Sequence, residues 1–374
     1  MHKIELSYAL ASGRAPDALI RNPLMDLLAA VRAQGSISGA AHALGLSYRH
    51  VWGELKRWER ELGYRLIVWD RGRPARLTEF ADKLLWAERQ AQARLAPQIA
   101  ALHFDLERAF ALAFDASASV LVLRASHDSA LALLGEHCVP ARLHLDIRFT
   151  GSVDALHELN AGRCAVAGFH LPPRTNADSL IARTYRPLLH AERHQLIGFA
   201  RRVQGLAVAR GNPLALQTIA DVAARGARYV NRPTGTGTRL LLDALCEQHG
   251  VARSTLVGYD NEEPSHAAVA QAVAAGQADA GLCIEVAARS RDLDFVQLLW
   301  EDYFLVCDRA ALEQPAIRAL RAVLRSESWL RRLSTLAGYA PARSGEALSL
   351  REVLPWWGER SDGESKRGLR KAAP

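Results

Sequence analysis

The sequence lacks long apolar runs and paired cysteines. No apolar run approaches the ~18 residues that a membrane-spanning helix needs, and the start, MHKIELSYALASGR, has no long apolar stretch ahead of a small-residue cleavage site. We therefore expect a cytoplasmic protein with no membrane association. The five cysteines are scattered, form no CxxC pair and have apolar neighbours, which predicts buried, reduced thiols rather than disulfides or a metal site.

Catalytic signatures are missing as well. No Ser/His/Asp or Cys/His arrangement has a spacing typical of nucleophilic catalysis. The TGTGTR loop lacks the Gly-Lys-Ser/Thr ending of a P-loop, and no spacing ties His127, His170 and His266 into a metal site. The sequence therefore predicts no catalytic residue, no metal and no resident cofactor.

The chain has 374 residues, of which 49% are hydrophobic, and a formal net charge of +7. At roughly 100–200 residues per domain, this length predicts two or three domains, each able to bury a core. The basic balance suits a polyanionic partner but does not by itself identify one.

Start and stop signals between residues 22 and 63 predict three short helices. A small polar residue opens each helix and a glycine closes it. The openers are Asn22, Ser36 and Ser47, and the closers are Gly35, Gly45 and Gly63. A bracing helix, a glycine turn and a longer second helix are the elements of a helix-turn-helix, whose second helix enters the DNA major groove.

The third helix predicts one apolar face and one contact face. Val51, Leu55, Trp58 and Leu62 share the core face, Leu46 is expected to plug the core, and Ala40, Ala41 and Ala43 are small enough to let two helices approach. Trp52 is ambiguous. The candidate DNA contacts on the helices are Ser36, Ser47, Tyr48, Arg49, His50, Glu54 and Arg57.

A hairpin and a long helix follow. DRGRP separates two short strand patterns and predicts a wing whose Arg71 and Arg73 track the DNA backbone or enter the minor groove. The helical pattern that starts at Thr78 carries more apolar surface than one chain can cover, and Pro97 should kink it. We expect a homodimer, or a higher homo-oligomer, that places two recognition helices about one DNA turn apart.

Residues 20–110 resemble the amino-terminal domain of ModE-type molybdate-responsive regulators, relatives of the LysR-type winged helix. The motifs that carry the resemblance are SISGAA at 36–41, LSYRHVW at 46–52 and the LT that follows the wing at 77–78. The resemblance implies a DNA-binding transcriptional regulator that acts on double-stranded operator DNA. The wing is shorter than is usual in that family, so its contacts carry over only in kind.

Beyond residue 118 the pattern changes to short apolar runs alternating with helices. The strand candidates are VLVLRAS, LHLDIRF, CAVAGF, HQLIGFA, ARYVNR, LVGYD, ADAGLCI and DFVQLLW. Such alternation predicts an α/β domain with a mainly parallel sheet. Three strand-to-helix junctions carry hydroxyls and helix N-termini, and ligands of open α/β sheets bind at the carboxyl ends of strands.

This half resembles the type II periplasmic-binding-protein-like domain, in which two lobes joined by crossing strands enclose a ligand. Matching segments include ASHDSALALL, RYVNRPTGTGTRLLLD and GYDNEEPSHAAVAQAVAAGQADAGLCI, and we place the crossing strands near 196–210 and 294–307. The resemblance implies a cleft lined from one lobe by Ser126, His127, Asp128, Thr150, Gly151 and Ser152. The other lobe supplies Asn231, Thr234, Gly235, Thr236, Gly237, Thr238, Arg239 and His266.

Several of these residues have purely structural interpretations. Asp128 can cap a helix, Arg239 can pair with Asp243 at i+4, and Asn231 can close a turn. Hydroxyls and amides hold a desolvated oxyanion well, which suits molybdate or tungstate. The alternative effector is a molybdopterin-like or other organic anion, because Arg239, His127 and His266 would suit a larger charged ligand. The alternative functions are a molybdenum-cofactor-related enzyme and a ligand-delivery protein that uses the winged helix for protein contacts.

The predicted fold class is thus a mainly α winged helix-turn-helix domain with a long dimerisation helix, followed by an α/β two-lobed domain. The predicted boundaries are an extension at 1–21, the winged helix at 22–78, a linker helix at 79–117, the effector domain at 118–340 and a partly disordered tail at 341–374. Within the effector domain, lobe 1 takes about 118–200 and 300–340, and lobe 2 about 205–295.

Overall fold

The computed structural model describes residues 22–69, 74–114, 118–173 and 175–357. The predicted amino-terminal extension, Arg71, Arg73 and the end of the predicted tail lie outside these residues. The chain divides into two compact units, residues 1–92 and 93–374. Within the described residues, no helix combines the length and the apolar character needed to cross a membrane.

The first unit opens with the three predicted helices. They are α1 (Pro23–Gln34), α2 (Ile37–Leu44) and α3 (Tyr48–Leu62). The predicted caps are confirmed: the side chains of Asn22, Ser36 and Ser47 each accept a hydrogen bond from a first-turn backbone N–H. The closing glycines adopt left-handed φ values of 61°, 65° and 75°, a conformation that costs other residues more.

The core of this unit corrects two predictions from the sequence. Val51 and Leu55 are buried as expected, but Leu46 is 41% exposed. The Leu46 N–H donates to the Ala41 carbonyl oxygen, and the Gly45 N–H donates to the His42 carbonyl oxygen. These two bonds form a Schellman motif at the end of α2, which leaves the Leu46 side chain partly in solvent. Ala43 is also exposed, so the close approach of α2 to its neighbours uses Ala40 and Ala41 alone.

The predicted hairpin is confirmed by β1 (Ile67–Val68) and β2 (Arg76–Leu77), which pair antiparallel. It leads into α4 (Glu79–Phe114), a helix of 36 residues with Pro97 inside. The kink at Pro97 stays a prediction. Residues 79–92 of α4 belong to the first unit and 93–114 to the second. Leu85 is buried, whereas Leu95 and Leu102 are 41% and 56% exposed.

The second unit alternates strands and helices. Its first half contains β3 (Ser119–Ala125), α5 (Ser129–Cys138), β4 (Leu143–Phe149), α6 (Ser152–Asn160), β5 (Val166–Leu171), α7 (Leu180–Tyr185) and β6 (His194–Val208). Its second half contains α8 (Ile219–Ala224), β7 (Tyr229–Val230), α9 (Gly237–His249), α10 (His266–Ala274), β8 (Ala280–Ile284), α11 (Glu285–Arg289), β9 (Asp294–Asp308), α12 (Pro315–Arg325), α13 (Glu327–Ser334), β10 (Tyr339–Ala340), β11 (Ala347–Leu348) and α14 (Leu350–Val353).

The sheet is mixed, which corrects the mainly parallel prediction. The strand order is β4-β3-β5-β9-β6-β8-β7, with β10 and β11 also paired to β6. The β3–β4, β3–β5 and β7–β8 pairs are parallel, but β6 and β9 run antiparallel to each other over 15 residues. The predicted strand at 256–260 is a turn, because Gly258 adopts a φ of 89°.

The long strands β6 and β9 lie where crossing strands were predicted. The first half of β6 and the second half of β9 pair beside β5, while the second half of β6 pairs β8. The pairing register shifts between Gly198 and Ala200 and again between Gln204 and Gly205. We call the part built on β3, β4 and β5 the first lobe, and the part built on β7 and β8 the second lobe.

Residues 341–357, predicted to begin the tail, pack onto the second unit. Ala347 and Leu348 in β11 pair with Ile197 and Leu196 of β6. Leu348 and Trp356 are fully buried, so apolar burial holds this segment against the sheet.

Burial in the first unit generates a paired stability prediction. Leu55→Ala should lower the free energy of unfolding of this unit by about 2–5 kcal/mol, because it leaves a cavity beneath α3. Leu46→Ala, at a partly exposed side chain, should change it by less than ~0.5 kcal/mol. Urea unfolding followed by circular dichroism measures both, and equal losses would contradict the burial described here.

Candidate effector site and DNA-binding helix

The start of α3 presents the side chains predicted to contact DNA. Tyr48 is 48% exposed, and Arg49 and His50 are exposed, while Val51 behind them is buried. Ser47 caps the helix through a 3.2 Å bond from the His50 N–H. This end of α3 therefore combines exposed donors with the positive end of the helix dipole, an arrangement that suits phosphate.

The other predicted DNA contacts have partners within the first unit. The Ser36 hydroxyl accepts from the Gly39 N–H at 2.9 Å and so is engaged as a cap. Glu54 and Arg57 form a 2.6 Å ion pair on the surface of α3. Arg57 also lies 3.7 Å from a carboxylate oxygen of Glu61. Exposed pairs of this kind are worth little, so Arg57 can exchange these carboxylates for a phosphate at small cost.

An aromatic row adjoins this helix and was not predicted as a group. Trp52, ambiguous from sequence, is half-buried and stacks on Tyr48 with ring centroids 6.4 Å apart. Trp69, 62% exposed, meets the edge of Trp52 at 6.3 Å, and the Lys56 ammonium lies 4.8 Å from the Trp52 ring centre. The row fixes the orientation of the exposed Tyr48 ring.

In the second unit, the two lobes meet through glycine. A Cβ added to Gly151, which precedes α6, would lie 2.4 Å from the Gly235 carbonyl oxygen, and the Val153 N–H donates to that same oxygen at 3.3 Å. The atoms nearest to the added Cβ belong to the backbone of Gly235 and Thr236, so no side-chain rotamer change could make room for it. The structure thus brings together two of the predicted junctions, the starts of α6 and α9.

A chain of buried polar groups extends inward from this contact. The Ser126 and Ser152 hydroxyls are 3.4 Å apart, and Ser152 Oγ is 3.3 Å from His170 Nδ1. The His170 ring lies 3.9 Å from the Tyr303 ring, centre to centre. His170 Nε2 and His266 Nδ1 are buried and have no hydrogen-bond partner among the described residues.

Arg232 is the cation of this region. It is 2% exposed, and within the described ranges no carboxylate forms an ion pair with it. One guanidinium nitrogen donates to the Glu263 carbonyl oxygen at 3.2 Å, and its Nε has no partner among the same residues. Burial, and then the charge of Arg202, lowers the pKa of Arg232 to about 9, so it stays charged at neutral pH.

Three histidines share the neighbourhood of Arg232. Burial, followed by the Arg232 charge, lowers the pKa of His127 to about 4 and that of His266 well below its ordinary value. Burial, Arg202 and Arg232 in that order do the same for His170. Neutral imidazoles and one unpaired guanidinium therefore line a buried region that offers hydrogen-bond donors and an uncompensated positive charge.

A fully buried ion cluster lies where the long strands cross. Arg202 on β6 donates to Asp128 at 2.5 Å and to Glu301 on β9 at 3.1 Å, and the Tyr339 hydroxyl donates to Asp128 at 2.7 Å. Asp128 also caps α5 through the Ala130 N–H. Burial alone lowers the pKa of Arg202, but Glu301 and Asp128 outweigh it and raise that pKa. Asp128 is thus fully engaged within the protein.

Several other predicted cleft residues also have structural partners. Asn231 bonds the Tyr259 carbonyl, and Thr238 accepts from Gln204 at 3.1 Å. Arg239 lies 3.6 Å from Asp243, as its alternative interpretation required, and also pairs with Glu262 at 2.9 Å. Thr236 caps α9, Thr150 is half-buried and Thr234 is exposed.

The sequence-based site list missed Arg232, His170, Arg202 and Glu301. Arg232 stands inside the quoted loop NRPTGTGTR, between predicted residues, and its solvent-free position is not visible in the sequence. Arg202 and Glu301 lie in the two predicted crossing strands, which are otherwise mainly apolar. A charged residue inside such a strand is the feature that could have identified them, because a buried charge needs a partner.

Comparison with known families bears on both units. The model of the PBP superfamily domain, which describes periplasmic-binding-protein-like domains, matches residues 137–325, just over half of the chain. The chain belongs to the PBP superfamily. The model of the bacterial regulatory helix-turn-helix protein, lysR family, matches residues 24–82 of the first unit.

This PBP-superfamily chain is also similar to individual proteins. The uncharacterized protein YvgK of Bacillus subtilis (strain 168) is 30% identical over 228 residues, which cover 61% of this chain and 73% of YvgK. Among solved structures, CbnR, a LysR family transcriptional regulator, is 18% identical with a TM-score of 0.37, covering 80% of this chain and 98% of CbnR. Full-length BenM is 14% identical with a TM-score of 0.42, covering 85% of this chain and 98% of BenM.

The lysR-family helix-turn-helix at 24–82, together with the PBP-superfamily unit, gives the chain the domains of a transcriptional regulator with a PBP-like effector-binding domain. It is a DNA-binding regulator and not an enzyme. This outcome removes the enzyme alternative left open by the sequence.

The buried histidines generate a prediction on pH. As the pH falls below about 6.5, the unfolded chain protonates each histidine, whereas folded His170 and His266 stay neutral because their pKa is lowered. The unfolded state then binds more protons, so each of these histidines should remove about 1.4 kcal/mol of stability per pH unit below 6.5, until its folded pKa is reached.

Unfolding free energies measured at pH 7.5, 6.5 and 5.5 check this. His266→Gln should show a shallower fall in stability than the unsubstituted protein, whatever its absolute stability. His50→Gln, at an exposed side chain, is the matched control. An unchanged slope in His266→Gln would show that His266 ionises freely in the folded state.

Proposed function

We propose that this regulator binds a small oxyanion between its lobes and operator DNA through α3, as a homodimer in the cytoplasm. The observation that carries the effector class is Arg232, a buried guanidinium without a carboxylate partner in the described part of the chain. An unpaired buried charge is costly, and a bound anion would remove that cost.

The surroundings of Arg232 support an anion over a cation or a neutral ligand. The unpartnered nitrogens of His170 and His266 are potential donors, and Ser126 and Ser152 add hydroxyls. Three helices of nine residues or more begin here, α6 at Ser152, α9 at Gly237 and α10 at His266, and helix N-termini attract anions. Asp128, the nearby carboxylate, forms an ion pair with Arg202 and caps α5, so its oxygens are already engaged.

Molybdate or tungstate is the effector we propose within this class. The backbone contact between Gly151 and Gly235 favours a compact tetrahedral ion over a molybdopterin-like molecule. The resemblance of residues 36–52 to the ModE-type motif supports the same ions. Neutral donors with one cation can hold such an ion without a metal.

A thermal-shift titration of the full chain tests the anion site. Sodium molybdate or tungstate at about 100 times Kd should stabilise the native state by about 2.7 kcal/mol, which corresponds to roughly 5–10 °C for a unit of this size. Arg232→Met should abolish the shift, and Arg210→Met, at an exposed arginine, should retain it. Sulfate and pterin compounds serve as competitors; a shift with pterins alone would reject the oxyanion assignment.

For DNA, we propose that Tyr48, Arg49 and His50 contact base edges or phosphates, assisted by Arg57 and by Arg71 and Arg73 of the wing. The exposure of the start of α3 over a buried Val51 supports this orientation. Apolar side chains left exposed on α4, Leu95 and Leu102 among them, support the homodimer, because association would remove them from water.

Loss of Arg49 tests the DNA interface. Arg49→Ala should weaken binding to a duplex selected from random sequence by about 1–3 kcal/mol if it contacts a base, or lower the salt slope by about one if it contacts a phosphate. Arg60→Ala is the control, since Arg60 is exposed but about 16 Å further along α3. Equal affinities and salt slopes for the two variants would place the interface elsewhere.

A further inference from the structure

The helix α4 grips both lobes of the second unit. On the first lobe, Phe104 packs so closely over Gly135 of α5 that an added Cβ would lie 2.6 Å from the ring, and Arg108 approaches Asp146 of β4 at 3.8 Å. On the second lobe, Arg94 meets Glu263 in the loop before α10. A single helix thus contacts both of the lobes that enclose the cleft.

The contact between α4 and the second lobe consists of several hydrogen bonds. The Arg94 guanidinium forms three hydrogen bonds of 2.6–3.1 Å with both carboxylate oxygens of Glu263. Two positions later, the Ser265 hydroxyl donates to the Ala93 carbonyl oxygen at 3.1 Å and accepts from the Ala268 N–H at the start of α10. The Glu263 side chain is 6% exposed, and Arg94 is the cation that faces its carboxylate.

The same short loop carries the anion site. The Glu263 carbonyl oxygen accepts from the Arg232 guanidinium at 3.2 Å, and its N–H donates to the Asn231 carbonyl oxygen at 2.9 Å. His266 is the first residue of α10. Glu263 therefore touches Arg232 with its backbone and Arg94 with its side chain, and no other residue separates the site from α4 along this path.

We propose that α4 senses occupancy of the anion site through Glu263, with Arg94 as the residue that receives the signal. This inference rests on the proposed function for the identity of the anion. An anion that binds Arg232 competes with the Glu263 carbonyl for the guanidinium, displaces the 263–266 loop and changes the Arg94 ion pair. Because α4 continues into the first unit, a change at Arg94 is delivered to the helix that leads to the winged domain.

Hydrogen exchange of the full chain with and without sodium molybdate tests the coupling. In the unsubstituted protein, molybdate should slow exchange of the backbone amides at 231–232, speed exchange at 263–269 as that loop is displaced, and alter exchange at 92–98 of α4. Arg94→Met, which keeps the aliphatic stem, should retain the response at 231–232 and lose it at 92–98. Glu262→Gln is the control, since Glu262 pairs with Arg239 and not with α4.

An operator-binding assay gives a second readout. The change in DNA affinity caused by molybdate should vanish in Arg94→Met and persist in Glu262→Gln. A response of α4 and of DNA affinity in Arg94→Met equal to that of the unsubstituted protein would overturn the inference.

Failure of the proposed function is distinguishable from failure of this inference. If molybdate, tungstate and sulfate leave exchange at amides 231–232 unchanged in the unsubstituted protein, the anion assignment is wrong. The contact between α4 and the 263–266 loop is then tested by exchange measured without ligand. Without ligand, Arg94→Met and Glu263→Gln should each speed exchange at 263–269 by about tenfold relative to Glu262→Gln. Equal rates would mean that α4 does not hold this loop.

Discussion

The buried cation Arg202 ties the two-lobed unit together. It sits on one crossing strand, pairs with Glu301 on the other, and pairs with Asp128 at the end of β3, where Asp128 also caps α5. Removing Arg202 from this cluster would leave two carboxylates without a cation in an apolar interior, which costs several kcal/mol. The strands and the first lobe are therefore held in one mutual arrangement at the point where the lobes diverge.

The contrast between Arg202 and Arg232 explains how the same interior serves both stability and binding. Both are buried, but Arg202 has two carboxylates and Arg232 has backbone carbonyl contact only, within the residues described. The first is satisfied by the fold and the second is not. The unsatisfied cation lies beside the unpartnered nitrogens of His170 and His266, which is why the binding proposal centres on it.

Much of the architecture was visible in the sequence, because local signals determine it. The caps at Asn22, Ser36 and Ser47 follow from side chains within a few residues. The misplaced features depend on distant partners. The hydrophobicity of Leu46 predicts a core residue, but the turn at Gly45 leaves its side chain partly exposed. The pattern at 256–260 predicts a strand, but the positive φ of Gly258 makes this segment a turn.

The candidate site was only partly predictable for the same reason. The hydroxyl-rich junctions were recognised by their position after strands, and the structure brings Gly151, Ser152 and Gly235 together. Arg232 was missed because an arginine in a loop is usually solvated. In the folded chain it is 2% exposed and bonds the carbonyl of Glu263, a residue 31 positions away. Burial of charge is a property of the assembled chain and not of its local pattern.

The glycine contact between the lobes carries a genetic consequence. The backbone at 151 and 235 lies so close together that even one methyl group at 151 would push the two segments apart. Every coding change away from glycine adds at least that methyl. A genetic selection for variants that fold and bind DNA but no longer respond to the effector should therefore recover substitutions at codon 151 repeatedly.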